Sequence, residues 1–175
     1  YCFFFHNPKI PIKYYACIVF YVYFYFIIFK KKGVVKRILK NIFAVIVGWI
    51  FGSFFNMGLV ELGNLVFPIK GINMNSMEEL AIVIPTLNAT YFIFPFLAHA
   101  LGTFLGAFIA WKIASSHKMR IAMTIGGLFL LGGIAVNYLL PGPKWFTILD
   151  LILSYLPMAY FGGFLASFNS KTVMK

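Results

Sequence analysis

The sequence predicts an all-α integral membrane protein, a helical bundle of four transmembrane helices, and three observations carry that prediction. Apolar residues fill 62% of the 175 positions and charged residues only 11%, against about 45–50% and about 25% in an average globular domain. Several apolar runs reach the roughly 20 residues that a spanning helix needs, and cations gather at their flanks. All four acidic residues (Glu61, Glu78, Glu79 and Asp150) fall on one side of the membrane once those runs are read as spans.

Residues 1–33 form an N-terminal apolar segment distinct from the four-helix domain expected over 34–175. Phe, Tyr, Ile and Lys fill 23 of the first 32 positions, with no Gly, Leu or acid, and the first methionine is Met57. Two readings stand side by side. AT-rich codons favour those four residues, so the segment reads as translated upstream sequence. Alternatively, Ile12–Phe29 followed by Lys30–Lys32 reads as an extra span resembling a signal anchor. No small-residue cleavage site follows the apolar run, so it is not a cleavable signal peptide.

Span one is expected over Asn41–Val66, span two over Tyr91–Ala114, span three over Ile121–Leu140 and span four over Trp145–Phe168. Lys30–Lys32, Lys36, Arg37 and Lys40 precede span one; Lys112, Lys118 and Arg120 surround the second connection; Lys171 and Lys175 follow span four. These are 11 of the 15 cations. The positive-inside rule then puts both ends of the core in the cytoplasm. Lys70 and Lys144 lie in outer connections, and Trp111 and Trp145 are expected near opposite interfaces. A net charge of +11 is read as this topology signal, helped by anionic lipid, and not as nucleic-acid binding.

The long outer connection holds its own element. Ser76-Met77-Glu78-Glu79 fits a capping box, and Met77, Leu80, Ala81 and Ile84 follow at helical spacing before Pro85. This predicts a short outer amphipathic helix, resting on headgroups or serving as a lid. Pro157 predicts a kink in span four and Pro95 one near the start of span two. Pro141-Gly142-Pro143 predicts a tight outer turn.

Small residues mark the packing faces. Ala98, Gly102, Gly106, Ala110 and Ala114 recur every four residues in span two, and Gly48 and Gly52 repeat the spacing in span one. Such ridges let helices approach closely in lipid. Packing within the bundle is the expected use, with a homodimer face as the alternative.

At about 1.5 Å of rise per residue, Asn56, Glu61, His99, Asn137 and Asp150 fall into one layer in the outer half of the bundle. Ionisable groups inside a membrane are costly and usually face the bundle interior or a water-filled cavity. Two expectations follow. In one, His99 forms the base of an outward-facing polar pocket and pairs with Glu61 or Asp150, binding a proton, a cation or a small polar ligand. In the other the layer is structural: Asp150 caps span four, Glu61 reaches the headgroups, and His99 bonds Asn137.

Cys2 and Cys17 match no metal spacing. The chain holds no HExxH, GxSxG, Walker A or GxGxxG motif, and three or four metal ligands do not converge in sequence. No cofactor, metal or catalytic residue is expected.

The stretches FPFLAHALGTFLGAFIAWKIASSHKMR and FLLGGIAVNYLLPGPKWFTILDLILSYLPMAYFGG resemble a family of small, uncharacterised four-span bacterial inner-membrane proteins. The resemblance spans about 37–166 and implies a four-span architecture with no assigned activity. The expected role is structural or accessory and non-enzymatic. Its partners are the lipid bilayer and either a second copy or another membrane protein. The alternative is a small transporter or channel using the polar layer.

Overall fold

The computed structural model describes the backbone of residues 12–69, 71–72 and 76–172 and, within these, the side chains of 33–168. Residues 1–11, Lys70 and the chain after 172 lie outside them, as do the side chains of Lys30–Lys32 and Lys171. Both readings of the 1–33 segment therefore rest on sequence alone. The protein is 86% helical, with no strand among the described residues. By its contacts the chain divides into two units, 1–39 and 40–175. The first contributes the beginning of helix α1 (Ile12–Val66), which is helical from Ile12 onward.

The second unit holds the rest of α1, then α2 (Met77–Val83), two 3-10 turns (Ile84–Thr86 and Ala89–Phe92), α3 (Ile93–Ile113), α4 (Lys118–Leu139), α5 (Lys144–Leu153) and α6 (Leu156–Thr172). Among the described residues four segments are long and apolar enough to cross a membrane: Gly33–Val66, Ala89–Ile113, Lys118–Leu139 and Lys144–Phe168. They match the four expected spans to within a few residues, apart from the earlier start of the first.

Helices α3, α4 and α6 pack against one another around Ala107, Ala110, Trp111, Ala122, Ile125, Phe129, Tyr155, Ala159 and Ala166. Five of these nine are alanines, as expected where lipid offers no hydrophobic incentive and close backbone approach drives association. The seam between α1 and α3 shows the same physics. A Cβ on Gly48 would stand 2.6 Å from the carbonyl oxygen of Gly106, and one on Gly52 would stand 2.6 Å from that of Gly102. The order is antiparallel, and Ala98 and Ala110 are wholly buried. The four-residue ridge is thus used inside the chain.

Span four is broken, as its proline predicts. The helix opens at Ser154–Tyr155 and α6 restarts with Pro157 in its first turn. Proline at 157 supplies no N–H to the carbonyl of Leu153, and its ring would crowd that carbonyl in a continuous helix. The kink expected at Pro95 does not arise in the same way. Pro95 sits in the first turn of α3, after the 3-10 turn, where its missing N–H has no acceptor to lose. Trp145 is exposed, whereas Trp111 is buried against the core. Ser76 caps α2 through Oγ, which accepts from the amide of Glu79 at 3.3 Å. No residue of α2 is fully buried, and Leu80, Ala81 and Val83 are half-buried.

Candidate functional site

The break in span four puts a carboxylate within reach of its own helix and a neighbour. Asp150 lies in the last turn of α5 with 0% of its surface exposed. Ser154 stands four residues on, and its Oγ donates to Oδ1 at 2.8 Å. In a regular helix Tyr155 would point away, since five residues advance the direction by about 140° past a full turn. The turn at 154–155 brings it back, and its hydroxyl donates to Oδ2 at 3.0 Å.

The third donor comes from α3. His99 Nδ1 lies 3.0 Å from Oδ1 and 2.9 Å from Oδ2 of Asp150. An ionised carboxylate only accepts, so the shared proton is assigned to Nδ1. Nε2 is left with no hydrogen-bond partner among the described residues, and 17% of the His99 side chain is exposed. The imidazole stacks on the Tyr155 ring, with centroids 5.7 Å apart and an interplanar angle of 29°. Thr103 donates to the carbonyl of His99 at 2.7 Å.

Helix α4 accommodates this cluster with a glycine. The Tyr155 hydroxyl stands where a Cβ of residue 133 would be, so only Gly133 admits the ring. The carbonyl of Gly133 accepts from Asn137 Nδ2 at 2.9 Å, and Asn137 Oδ1 accepts from Thr147 Oγ1 at 2.7 Å. Asn137 therefore ties the end of α4 to the start of α5. It does not bond His99, because its amide is taken up locally by these two partners.

Two other members of the expected layer fall outside the cluster. Asn56 packs its Cβ on Gly102 within the α1–α3 seam and has no side-chain hydrogen bond among the described residues. Glu61 is exposed and lines a shallow, mainly apolar groove of about 670 Å³ with Trp49, Ile50, Ser53, Phe54, Met57 and Gly58. Rise per residue places a side chain along the helix but not its direction. Nine residues separate Glu61 from the packed Gly52, which at about 100° per residue places them on opposite faces. The expectation that Glu61 partners His99 is corrected on that ground.

Ser154, Tyr155 and Thr103 escaped the sequence reading. Ser154 had a signal, since a hydroxyl four residues after a buried acid reaches it on any helix. Tyr155 had none until the break was placed. Asp150, His99, Ser154 and Tyr155 form one saturated hub joining α3, α5 and α6. No group of three or more His, Cys, Asp or Glu side chains suited to a metal ion occurs among the described residues. Chemically the hub holds a buried histidine–carboxyl pair and orients one imidazole nitrogen.

No protein family matches the chain, and neither a curated protein nor a solved structure is similar to it.

Proposed function

We propose that the chain is a multipass protein of the bacterial inner membrane, with both ends of its core in the cytoplasm and a structural or accessory, non-enzymatic role. The observation that carries this reading is the saturation of Asp150. Its two oxygens receive Ser154, Tyr155 and His99, all from the same bundle. A carboxyl group whose two oxygens are taken up by three side chains of the bundle ties helices together and keeps little acceptor capacity for a cargo. The separation of Glu61 from His99 supports the same conclusion, since it leaves Asp150 as the one carboxyl group beside the imidazole among the described residues. Cations on the short connections, against none of the acids, support the orientation.

An accessory role implies a membrane partner, either a second copy or another protein. The exposed flank of α1, with Glu61 at the end of an apolar groove, is the surface best suited to one. The transport alternative draws on a single observation, the unpartnered Nε2 of His99. Reconstitution separates the two readings. Proteoliposomes carrying the purified chain are expected to show no proton, sodium or potassium flux above empty vesicles. A flux that disappears in both His99→Ala and Asp150→Asn, with the fold intact by circular dichroism, would overturn the accessory reading in favour of transport.

A further inference from the structure

The end of the bundle opposite the acids is organised around the α3–α4 turn. Asn41 of α1 holds that turn from the side. Its Oδ1 accepts from the amides of Ser115 and Ser116 at 3.0 and 3.3 Å. Its Nδ2 donates to the carbonyl and the hydroxyl oxygen of Ser116 at 3.2 and 3.0 Å. Four cations surround the clamp. Lys40 precedes Asn41, Lys112 lies in the last turn of α3, and Lys118 and Arg120 lie in the first turn of α4. Lys40, Lys112 and Arg120 are exposed and Lys118 is half-buried.

Trp111 organises two of these cations. Its ring is buried, with Lys118 Nζ 4.3 Å and Lys112 Nζ 6.0 Å from the ring centroid, and Lys112 Nζ also lies 5.6 Å from that of Phe108. Cation–π attraction of this kind fixes where an ammonium stands without neutralising it. Neutralisation inside the protein is not on offer either. The one close carboxyl contact of Asp150 with a basic side chain is with His99, and none of the four cations has a carboxylate partner among the described residues. Lys112 and Lys118 share the Trp111 ring; like charges brought near one another repel, and an anion bound between them relieves that repulsion.

We propose that this surface binds the phosphate of an anionic phospholipid headgroup, with Lys40, Lys112, Lys118 and Arg120 as its cationic contacts. The choice of lipid over another anion follows from position. The cations stand at the ends of helices long and apolar enough to cross a membrane, which is headgroup level. Basic residues at that level attract anionic lipid, and the apolar flanks of the same helices meet its acyl chains. The inference does not depend on which leaflet this is, nor on the accessory role proposed above.

The test uses the purified full chain in neutral detergent, with bound lipid read by native mass spectrometry. Phosphatidylglycerol is compared with phosphatidylcholine of the same acyl chains, and inorganic phosphate serves as a soluble competitor. The wild type is expected to retain phosphatidylglycerol in preference to phosphatidylcholine. Lys112→Gln/Lys118→Gln/Arg120→Gln is expected to weaken that retention at least about tenfold, whereas Lys144→Gln at the other end leaves it unchanged. Equal binding of the two lipids, or full retention by the triple variant, overturns the proposal. Displacement of the lipid by millimolar phosphate overturns the lipid assignment. Should the triple variant misfold, acetylation of the wild type decides. Lys112 and Lys118 are expected to be protected by phosphatidylglycerol and not by phosphatidylcholine, and equal labelling under both sinks the idea.

Discussion

Two polar knots hold this bundle, one around Asp150 and one around Asn41, and they work by different physics. Asp150 is an ionisable group and wholly buried, and every donor it receives comes from within the bundle. Asn41 is neutral and half-buried, and it satisfies backbone groups of a turn. Taking a carboxylate out of water costs several kcal/mol, roughly recovered only while its partners stay in place. An amide at the end of a helix carries no such debt, because water replaces any bond it loses. The first knot is therefore brittle and the second forgiving, although both are built from a few bonds near 3 Å.

The most severe way to break that contrast is His99→Leu. It leaves the carboxyl group of Asp150 buried without its histidine partner, and loss of one member of a buried pair costs about 3–5 kcal/mol. Reversible unfolding in mixed micelles measures it. His99→Leu/Asp150→Leu is expected to recover part of the loss, since the buried charge itself is then gone, while Ser154 and Tyr155 still lose their acceptor. A His99→Leu variant as stable as the wild type would place the hub in the same forgiving class as Asn41.

Tyr155→Phe sharpens the contrast from inside the hub. The phenyl ring still stacks on His99 and still fits against Gly133, so packing changes little and one donor to the carboxylate is removed. Hydrogen bonds to charged groups contribute about 1.5–3 kcal/mol, and a loss in that range is expected in the same assay. A loss near the average of about 0.6 kcal/mol for interhelical bonds in membranes would mean that water or the remaining partners compensate.

The two knots also differ in how visible they are in the chain. Asp150 and His99 announce themselves, because an ionisable residue inside an apolar run demands an explanation. Four spans, the break at Pro157, the capped α2 and the small-residue seam follow equally from runs, prolines and spacing. Azimuth is harder. Glu61 falls in the same outer layer as His99 when depth is counted along the sequence, and its angle from the Gly48–Gly52 ridge turns it away from the hub. Tyr155 is hidden for a related reason: its reach depends on a helix break whose exact residues the proline does not specify. Asn41 leaves no trace, since a neutral amide next to Lys40 looks like the polar edge of a span. Its partners lie 74 and 75 residues away, a pairing that local spacing does not encode.

The smallest expected effect tests whether Asn41 belongs to the forgiving class. Asn41→Ala frees the amides of Ser115 and Ser116 and the carbonyl of Ser116, all in a turn at the bundle's end where water can reach them. Global stability is expected to fall by about 1 kcal/mol, the net worth of a typical solvent-compensated hydrogen bond. The local effect is the more telling one. Amide exchange at Ser115 and Ser116 is expected to accelerate while exchange within α5 and α6 stays as it was, because the turn opens without disturbing the carboxylate hub. A loss of 3 kcal/mol or more, or faster exchange spreading to Asp150, would mean that the two knots are one cooperative unit. Neutrality and partial exposure would then no longer explain why one end of the bundle tolerates change.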